Sequence, residues 1–414
     1  MIQIFGIGPG NPEWLPSAIE KEVAQCHVLL GGARAFELFP RFSGERFRVD
    51  RDLQLAIQTI QQALNLKKQV GVLVSGDPGF YSLLPLIRKK FPEEIIKVFP
   101  GISSLQFAFA RAGVPWQEAE LMSVHGRSIE SLPLNVCKPL GILTGGDNTP
   151  QRIAAYYNSY GFNPQISIGN SLSYPDEEWV DTDTNELIDS ETNYPNAVMI
   201  IYPENSQYGR TRQEVQLQRG FGISDEEFIR GKVPMTKSEI RVQVLSKAKI
   251  SARDRVLDVG AGTGSLSIEA ALLAQRGCVF AVEEDPEAQE LILKNQEKFQ
   301  VSNLRLIRGT APAALAGIPP MDVCLIGGSH GQVEEILRQA PLLPGGRVVI
   351  TAVTLETVTK GIEALRTLDF QEIDVISIQA VRWKGIKDFH LAQALNPVFI
   401  LSAQKGLVKK EVNH

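Results

Sequence analysis

The residues in this sequence whose types and spacing can do chemistry are glycine-rich loops that follow strand-like runs. In Arg255-Val-Leu-Asp-Val-Gly-Ala-Gly-Thr-Gly-Ser265 an apolar run leads into glycines at 260, 262 and 264, and a helical stretch follows. Positions without side chains let the backbone turn sharply and let a ligand approach the amides of a helix N-terminus. A dinucleotide fingerprint would place its last glycine at 265, where this chain has Ser. The acid Asp258 lies inside the strand, and the next apolar run, Cys278-Val-Phe-Ala-Val-Glu283, ends in a carboxylate placed to accept from ribose hydroxyls. Glu283 is the candidate, with Glu284 as the alternative. In the first half, Gly6-Ile-Gly-Pro-Gly-Asn11, Ser75-Gly-Asp-Pro-Gly-Phe-Tyr81 and Pro100-Gly-Ile-Ser-Ser104 also follow apolar runs. No Lys-Ser/Thr pair follows the first of them, which excludes a Walker A phosphate loop.

Short β-branched runs alternating with amphipathic stretches must position these loops, a pattern that predicts α/β domains with largely parallel sheets. Strands are expected at 2–7, 69–74, 95–98, 140–143 and 197–201, and then at 255–259, 279–283, 304–307, 322–326, 347–351 and 397–402. In a parallel sheet, loops that follow strands gather at the carboxyl edge, where ligands of α/β folds bind. Between Pro203 and Lys232 the chain turns polar and loses any sustained apolar period, which marks a domain boundary. The expected organisation is a first domain over 1–204, a linker over 205–224, a second domain over 225–405 and a polar tail over 406–414.

A length of 414 residues, 43% hydrophobic and 21% charged, describes a chain able to bury sizeable cores. With 42 basic and 47 acidic side chains the formal charge is -5, so no global positive field is available to hold nucleic acid or an anionic membrane. Four cysteines lie far apart, with no CxxC pair, and neither a disulfide scaffold nor a metal site is expected. The chain shows no signal-peptide pattern, and no apolar run reaches the ~20 residues that span a bilayer. A soluble, cytoplasmic protein is expected.

The GxGxG form, with its strand acid and strand-end acid, resembles motif I of the class I S-adenosylmethionine (SAM) methyltransferases, a Rossmann-like fold. Met235-Thr-Lys-Ser-Glu-Ile-Arg241, the glycine loop, Arg308-Gly-Thr-Ala-Pro312, Ile326-Gly-Gly-Ser329 and Leu343-Pro-Gly-Gly-Arg347 stand in that order. They resemble the cobalamin-pathway family that methylates and decarboxylates precorrin-6B, over roughly residues 222–405. The resemblance implies SAM contacts at Thr236, Gly260, Ala261, Gly262, Thr263, Gly264, Glu283 and Ala311. His330 departs from it, since the family often has a small residue after Gly-Gly-Ser. It is either an acid or base near the substrate or a structural loop residue.

The three loops of the first half together resemble the tetrapyrrole methylase family, a class III fold of two α/β lobes with SAM in the cleft between them. The resemblance spans about residues 1–204. His125-Gly-Arg127 and Leu143-Thr-Gly-Gly-Asp-Asn-Thr-Pro150 point to the branch acting on precorrin-6Y at carbon 5. Pro9, Gly76, Asp77, Ser103 and Ser104 are the implied SAM contacts, with Asp77 alternatively bracing its own turn. His125 and Arg127 are candidates for tetrapyrrole contacts or for bracing their loop.

The two resemblances imply two SAM sites in one chain, methylation at carbons 5 and 15, removal of the carboxyl from the acetate at carbon 12, and a homo-oligomer. No metal is implied. A tetrapyrrole of this kind carries many carboxylates, which guanidinium forks pair with well. Arg127, Lys237, Arg241, Arg382 and Lys384 are the candidate partners, against the plainer reading of each as a solvated surface group. Two rivals remain at this stage. One is a SAM methyltransferase acting on RNA or protein with the first domain as a recognition module, and the other makes that domain a structural partner without activity.

Overall fold

The computed structural model describes residues 1–49, 52–204, 221–386 and 389–407. Most of the expected linker and tail, 205–220 and 408–414, lies outside them. Contacts divide the chain into two compact units. The first holds Met1–Leu132, Cys137–Asn158 and Asn163–Pro203, and the second holds Pro133–Val136, Ser159–Phe162 and the described residues from Glu204 on.

The first unit contains two five-stranded sheets. One is built from β1 (Ile2–Gly6), β2 (Val28–Gly31), β3 (Glu45–Arg48), β4 (Val70–Val74) and β5 (Ile96–Phe99), in the order β3-β2-β4-β1-β5 and parallel throughout. Strands β1, β2 and β4 are buried along their whole length, as continuous Val, Ile and Leu runs require of a sheet covered on both faces. The other sheet comprises β6 (Glu120–Ser123), β7 (Leu140–Leu143), β8 (Gln165–Asn170), β9 (Glu178–Asp183) and β10 (Ala197–Ile201). Its order is β6-β7-β10-β8-β9, and only β6 and β7 pair in parallel. The expectation of largely parallel sheets therefore fails here. The connection from β8 to β9 spans only residues 171–177, too short for the crossover that a parallel pair needs, so the two strands form a hairpin.

The second unit has β11 (Arg255–Val259), β12 (Cys278–Glu283), β13 (Leu304–Arg308), β14 (Met321–Ile326), β15 (Leu342–Ala352), β16 (Phe370–Ile378), β17 (Val381–Ile386), β18 (Phe389–Ala394) and β19 (Val398–Lys405). Seven of them form one sheet in the order β13-β12-β11-β14-β15-β19-β16, parallel from β13 to β15, with β19 antiparallel to both its neighbours. β12 lies on one side of β11 and β14 on the other, so the loop after β11 sits at the point where strand order reverses. Open α/β sheets bind ligands there. Strands β17 and β18 pair only with each other among the described residues. Among the described residues no helix is long and apolar enough to cross a membrane.

Candidate functional site

In the first unit the three expected loops converge at the carboxyl edge of the parallel sheet, backbone against backbone. A Cβ on Gly6 would lie 2.6 Å from the Gly101 nitrogen and 2.8 Å from the Gly76 oxygen. Only glycine lets three loops meet this closely. The amides of Gly8 and Gly76 each donate to the other's carbonyl, at 3.4 and 2.9 Å. The helix Ser104–Ala112 starts at this junction with a capping box, Ser103 accepting from Leu105 N and Gln106 from Ser103 N.

These loops open on a cavity of about 1280 Å³ whose lining includes Pro9, Gly76, Asp77, Ser103, Ser104, His125 and Arg127. All the candidates of the first half are thus brought together. Asp77 takes the bracing alternative: its Oδ1 accepts from Gly79 N at 2.7 Å and its Oδ2 from Gly101 N at 3.1 Å. The carboxylate thus shapes the loops with two of its acceptor positions while it lines the cavity. His125 packs on Gly145, where a Cβ would lie 2.1 Å from its Nδ1. The buried Asn148 amide donates to the carbonyls of Val124 and Arg127 at 2.7 and 2.8 Å, so the two motifs singled out in the sequence form one structure.

In the second unit the glycine loop and the strand-end acid also meet. Glu283 is buried, and its Oε2 accepts from Gly262 N at 2.7 Å while its Oε1 accepts from the amides of Glu284 and Asp285, both at 2.9 Å. A carboxylate has about four acceptor positions, which leaves one for a ligand hydroxyl. Glu284 turns elsewhere, accepting from Thr310 Oγ1 at 2.6 Å and lying 2.9 Å from His330 Nε2. Of the two acids, Glu283 is the one that reaches the loop. A Cβ on Gly260 would lie 2.6 Å from Gly328 N, which ties the loop after β14 to the loop after β11. Ala311, half-buried, follows directly after Thr310. Asp258 is fully buried beneath the loop and accepts from Ser267 Oγ. Burial pushes its carboxyl up to about 6, with the neighbouring Glu283 charge adding to the rise against the Ser267 hydrogen bond. Bare backbone at 260–264 beside a carboxylate with an acceptor to spare fits an adenosine ribose approaching a helix N-terminus.

Arg241 corrects a sequence expectation. It is not a substrate contact, for it is fully buried, with 0% of its side chain exposed. Its Nε donates to Glu269 at 2.8 Å, its Nη1 to Asp225 at 2.8 Å and to the Thr236 carbonyl at 2.6 Å, and its Nη2 to the Ile223 carbonyl. Its guanidinium also stacks on Phe228, 4.8 Å from the ring centroid. Arg382 is likewise committed to the chain's own acids, gripping Glu239 at 3.0 and 2.8 Å and Asp225 at 2.9 Å. Lys237 lies 4.0 Å from Asp225 and borders a small cavity of about 180 Å³. Lys384 belongs to β17, and its side chain lies outside the described residues.

The sequence reading missed Asp225 and Glu269. The signal for Glu269 was present, because an acid in Ser265–Leu273, a stretch otherwise of small and apolar residues, must be paired if it is buried. It also missed Arg34 and Tyr174, which line the first cavity without belonging to any motif, and Tyr81, which ends the Ser75–Tyr81 loop but was given no role.

Residues 1–188 match the family model of tetrapyrrole (corrin/porphyrin) methylases, and residues 227–405 match that of the precorrin methyltransferase domain. The chain is similar to a probable cobalt-precorrin-6B C(15)-methyltransferase (decarboxylating) of Sulfurisphaera tokodaii, 42% identical over 189 residues that cover 44% of this chain and 97% of that protein. It is 35% identical to the cobalt-precorrin-6B C(15)-methyltransferase (decarboxylating) of Salmonella typhimurium over 195 residues, 46% of this chain and 98% of that one. Among solved structures, a precorrin-6Y C5,15-methyltransferase from Geobacter metallireducens is 36% identical, covers 45% of this chain and 100% of that chain, and has a TM-score of 0.43.

Proposed function

The chain belongs to the cobalt-precorrin-6B C(15)-methyltransferase (decarboxylating) family, and from that premise we propose a bifunctional, SAM-dependent C-methyltransferase of corrin-ring biosynthesis. Its second domain, 225–405, methylates carbon 15 of a precorrin-6B-type substrate and removes the carboxyl of the acetate at carbon 12. Its first domain, 1–204, methylates carbon 5, and the product of both is precorrin-8X. The observation that carries the reading is the presence of two separate glycine-loop cradles, each at the carboxyl edge of parallel strands, one beside Glu283 and one on the large cavity.

When bound, SAM supplies an electrophilic methyl group on a sulfonium. The residues have correspondingly modest work. The glycine turn at 260–264, which leaves room against the backbone, and the free acceptor of Glu283 hold the adenosine in the second domain, while the loops at Pro9, Gly76, Ser103 and Ser104 do so in the first. The remaining task is to place an electron-rich ring carbon against that methyl, a matter of orientation rather than of a protein nucleophile. No metal enters this scheme. We also read the protein as a cytoplasmic homo-oligomer. The β17–β18 hairpin supports that reading, with Trp383 68%, Phe389 77% and Leu391 62% exposed.

Calorimetric titration of SAM into the whole chain tests the two-site scheme. Two sites per chain are expected, with Gly262→Asp losing the site in the second domain and Gly76→Asp losing the one in the first. A wild-type stoichiometry of one defeats it. Methyl transfers and released carbon dioxide, counted on incubation with precorrin-6Y, test the reaction.

A further inference from the structure

The cavity of the first unit, at about 1280 Å³, exceeds the roughly 300–1,000 Å³ that one small ligand occupies. The glycine loops take up one part of its wall. Elsewhere the lining includes two arginines, Arg34 and Arg127, each held in the same way. The Arg34 guanidinium lies over the Tyr174 ring, 5.6 Å from its centroid, and that of Arg127 over the Tyr81 ring at 4.6 Å. Both pairs cross from one sheet's loops to the other's. Arg34 follows β2 and Tyr174 lies between β8 and β9, whereas Arg127 follows β6 and Tyr81 follows β4. The tyrosines are themselves pinned. Tyr174 packs so closely on the first glycine loop that a Cβ on Gly10 would lie 2.0 Å from its hydroxyl, and Tyr81 stands edge-on to Phe80 at 4.7 Å.

Neither arginine makes an ion pair among the described residues, and both are exposed to the cavity. The one acid among the described lining residues is Asp77, whose oxygens already accept from Gly79 and Gly101. A chain of net charge -5 thus keeps two unneutralised guanidiniums, with His125 nearby, around one hollow. A guanidinium held over the face of an aromatic ring can still present N–H groups to a carboxylate, with two parallel bonds in the fork geometry.

We propose that Arg34 and Arg127 are paired carboxylate clamps, set on the two sides of the cavity by Tyr174 and Tyr81, which grip acidic side arms of a tetrapyrrole and fix which ring carbon faces the methyl donor. This deepens the carbon 5 assignment and rests on it. Arg34 carries no sequence motif, and the clamp exists only because the fold brings four separated residues together.

The test measures binding and turnover on the full chain. Carboxylate-rich uroporphyrin is the probe for binding, with octaethylporphyrin, which has no carboxylates, as its control. Wild type should bind the first and not the second. Arg34→Met and Arg127→Met should each weaken uroporphyrin binding and raise KM for precorrin-6Y roughly ten- to hundredfold, the loss of one charged hydrogen-bonding group. SAM affinity should stay within about twofold in the same variants, a split that general unfolding would not produce. Lysine at either position should restore only part of the loss, since it cannot stack and fork together. Unchanged uroporphyrin binding and KM in both methionine variants overturn the clamp while leaving the methyltransferase reading intact, as does a parallel fall in SAM affinity. Wild type that binds uroporphyrin in a clamp-dependent way yet leaves precorrin-6Y unmethylated at carbon 5 overturns the reaction assignment and keeps the clamp.

Discussion

Replacing Arg241 with Met is the sharpest perturbation of the second unit. Arg241 stands in the middle of a chain of alternating charges, Glu269, Arg241, Asp225, Arg382 and Glu239. Methionine fills a similar volume but returns none of the four hydrogen bonds. Among the described residues Glu269 would keep only the Gly222 amide, at 2.9 Å, as a partner for a carboxylate with no exposure to water. Removing one member of a buried pair typically costs about 3–5 kcal/mol, because the remaining charge is left uncompensated. At roughly 2–4 °C per kcal/mol for a unit of this size, the melting transition should fall by about 6–20 °C. The control is Arg382→Met, which removes a half-exposed member, leaves Asp225 its bonds to Arg241 and Ser238 N, and should cost about 0–1 kcal/mol. Differential scanning calorimetry on both variants measures the contrast. The double change Arg241→Met with Glu269→Gln should recover part of the loss, since it removes the stranded charge. Equal effects for Arg241→Met and Arg382→Met, or a loss below about 1 kcal/mol for the former, would refute the reasoning.

Other consequences follow from single observations. Burial would raise Asp225, but the hydrogen bonds and charges of Arg241 and Arg382 outweigh it and hold the carboxyl below its usual range. A depressed carboxyl stabilises the fold above its unfolded pKa of ~3.9, so the second unit should lose stability as pH falls below about 4, visible as an acid limb in chemical denaturation. Asp258 has the opposite sign, because its folded value of about 6 lies above the unfolded one. Its contribution should grow as pH falls from about 6 to 4, by about 3 kcal/mol in all, and Asp258→Asn should flatten that slope; an unchanged slope would contradict its burial as a titrating group. Gly101→Ala would set a Cβ 2.4 Å from the Gly76 oxygen. It should cost about 1–3 kcal/mol in thermal denaturation of the first unit and remove the proposed SAM site there, leaving the other proposed site intact.

The parts of this fold legible in the sequence are those where a backbone requirement dictates a residue type locally. Strands β1, β4, β7, β10 and β11 read as continuous apolar runs because both faces are covered, and the loops read through glycines that no other residue can replace. Strands β2, β3, β6, β8, β9, β16, β17 and β18 were not among those expected: β3 and β18 are largely exposed and β9 half-buried, with residues such as Glu45-Arg-Phe-Arg48, while the buried β2 and β8 are short runs set close to helix and turn residues. Pairing with a neighbour makes them strands, and pairing leaves no trace in composition.

The charged residues divide along the same line. A basic residue beside a conspicuous motif reads as a ligand contact, yet the spacing of Arg241, Val244, Leu245 and Ala248 on the helix Ser238–Ala248 already places Arg241 on the buried stripe. A cation on such a stripe must find acids inside the protein. Arg34 presents the reverse case, since a guanidinium held over a distant tyrosine needs no motif and makes no ion pair among the described residues. In this chain Arg241, inside a motif, is an internal tie, whereas Arg34, outside every motif, faces the cavity. Motif proximity alone therefore does not separate the candidate carboxylate contacts from the internal ties. The deciding quantity is which guanidiniums the fold leaves without an acid of their own, and that separates Arg34 and Arg127 from Arg241 and Arg382.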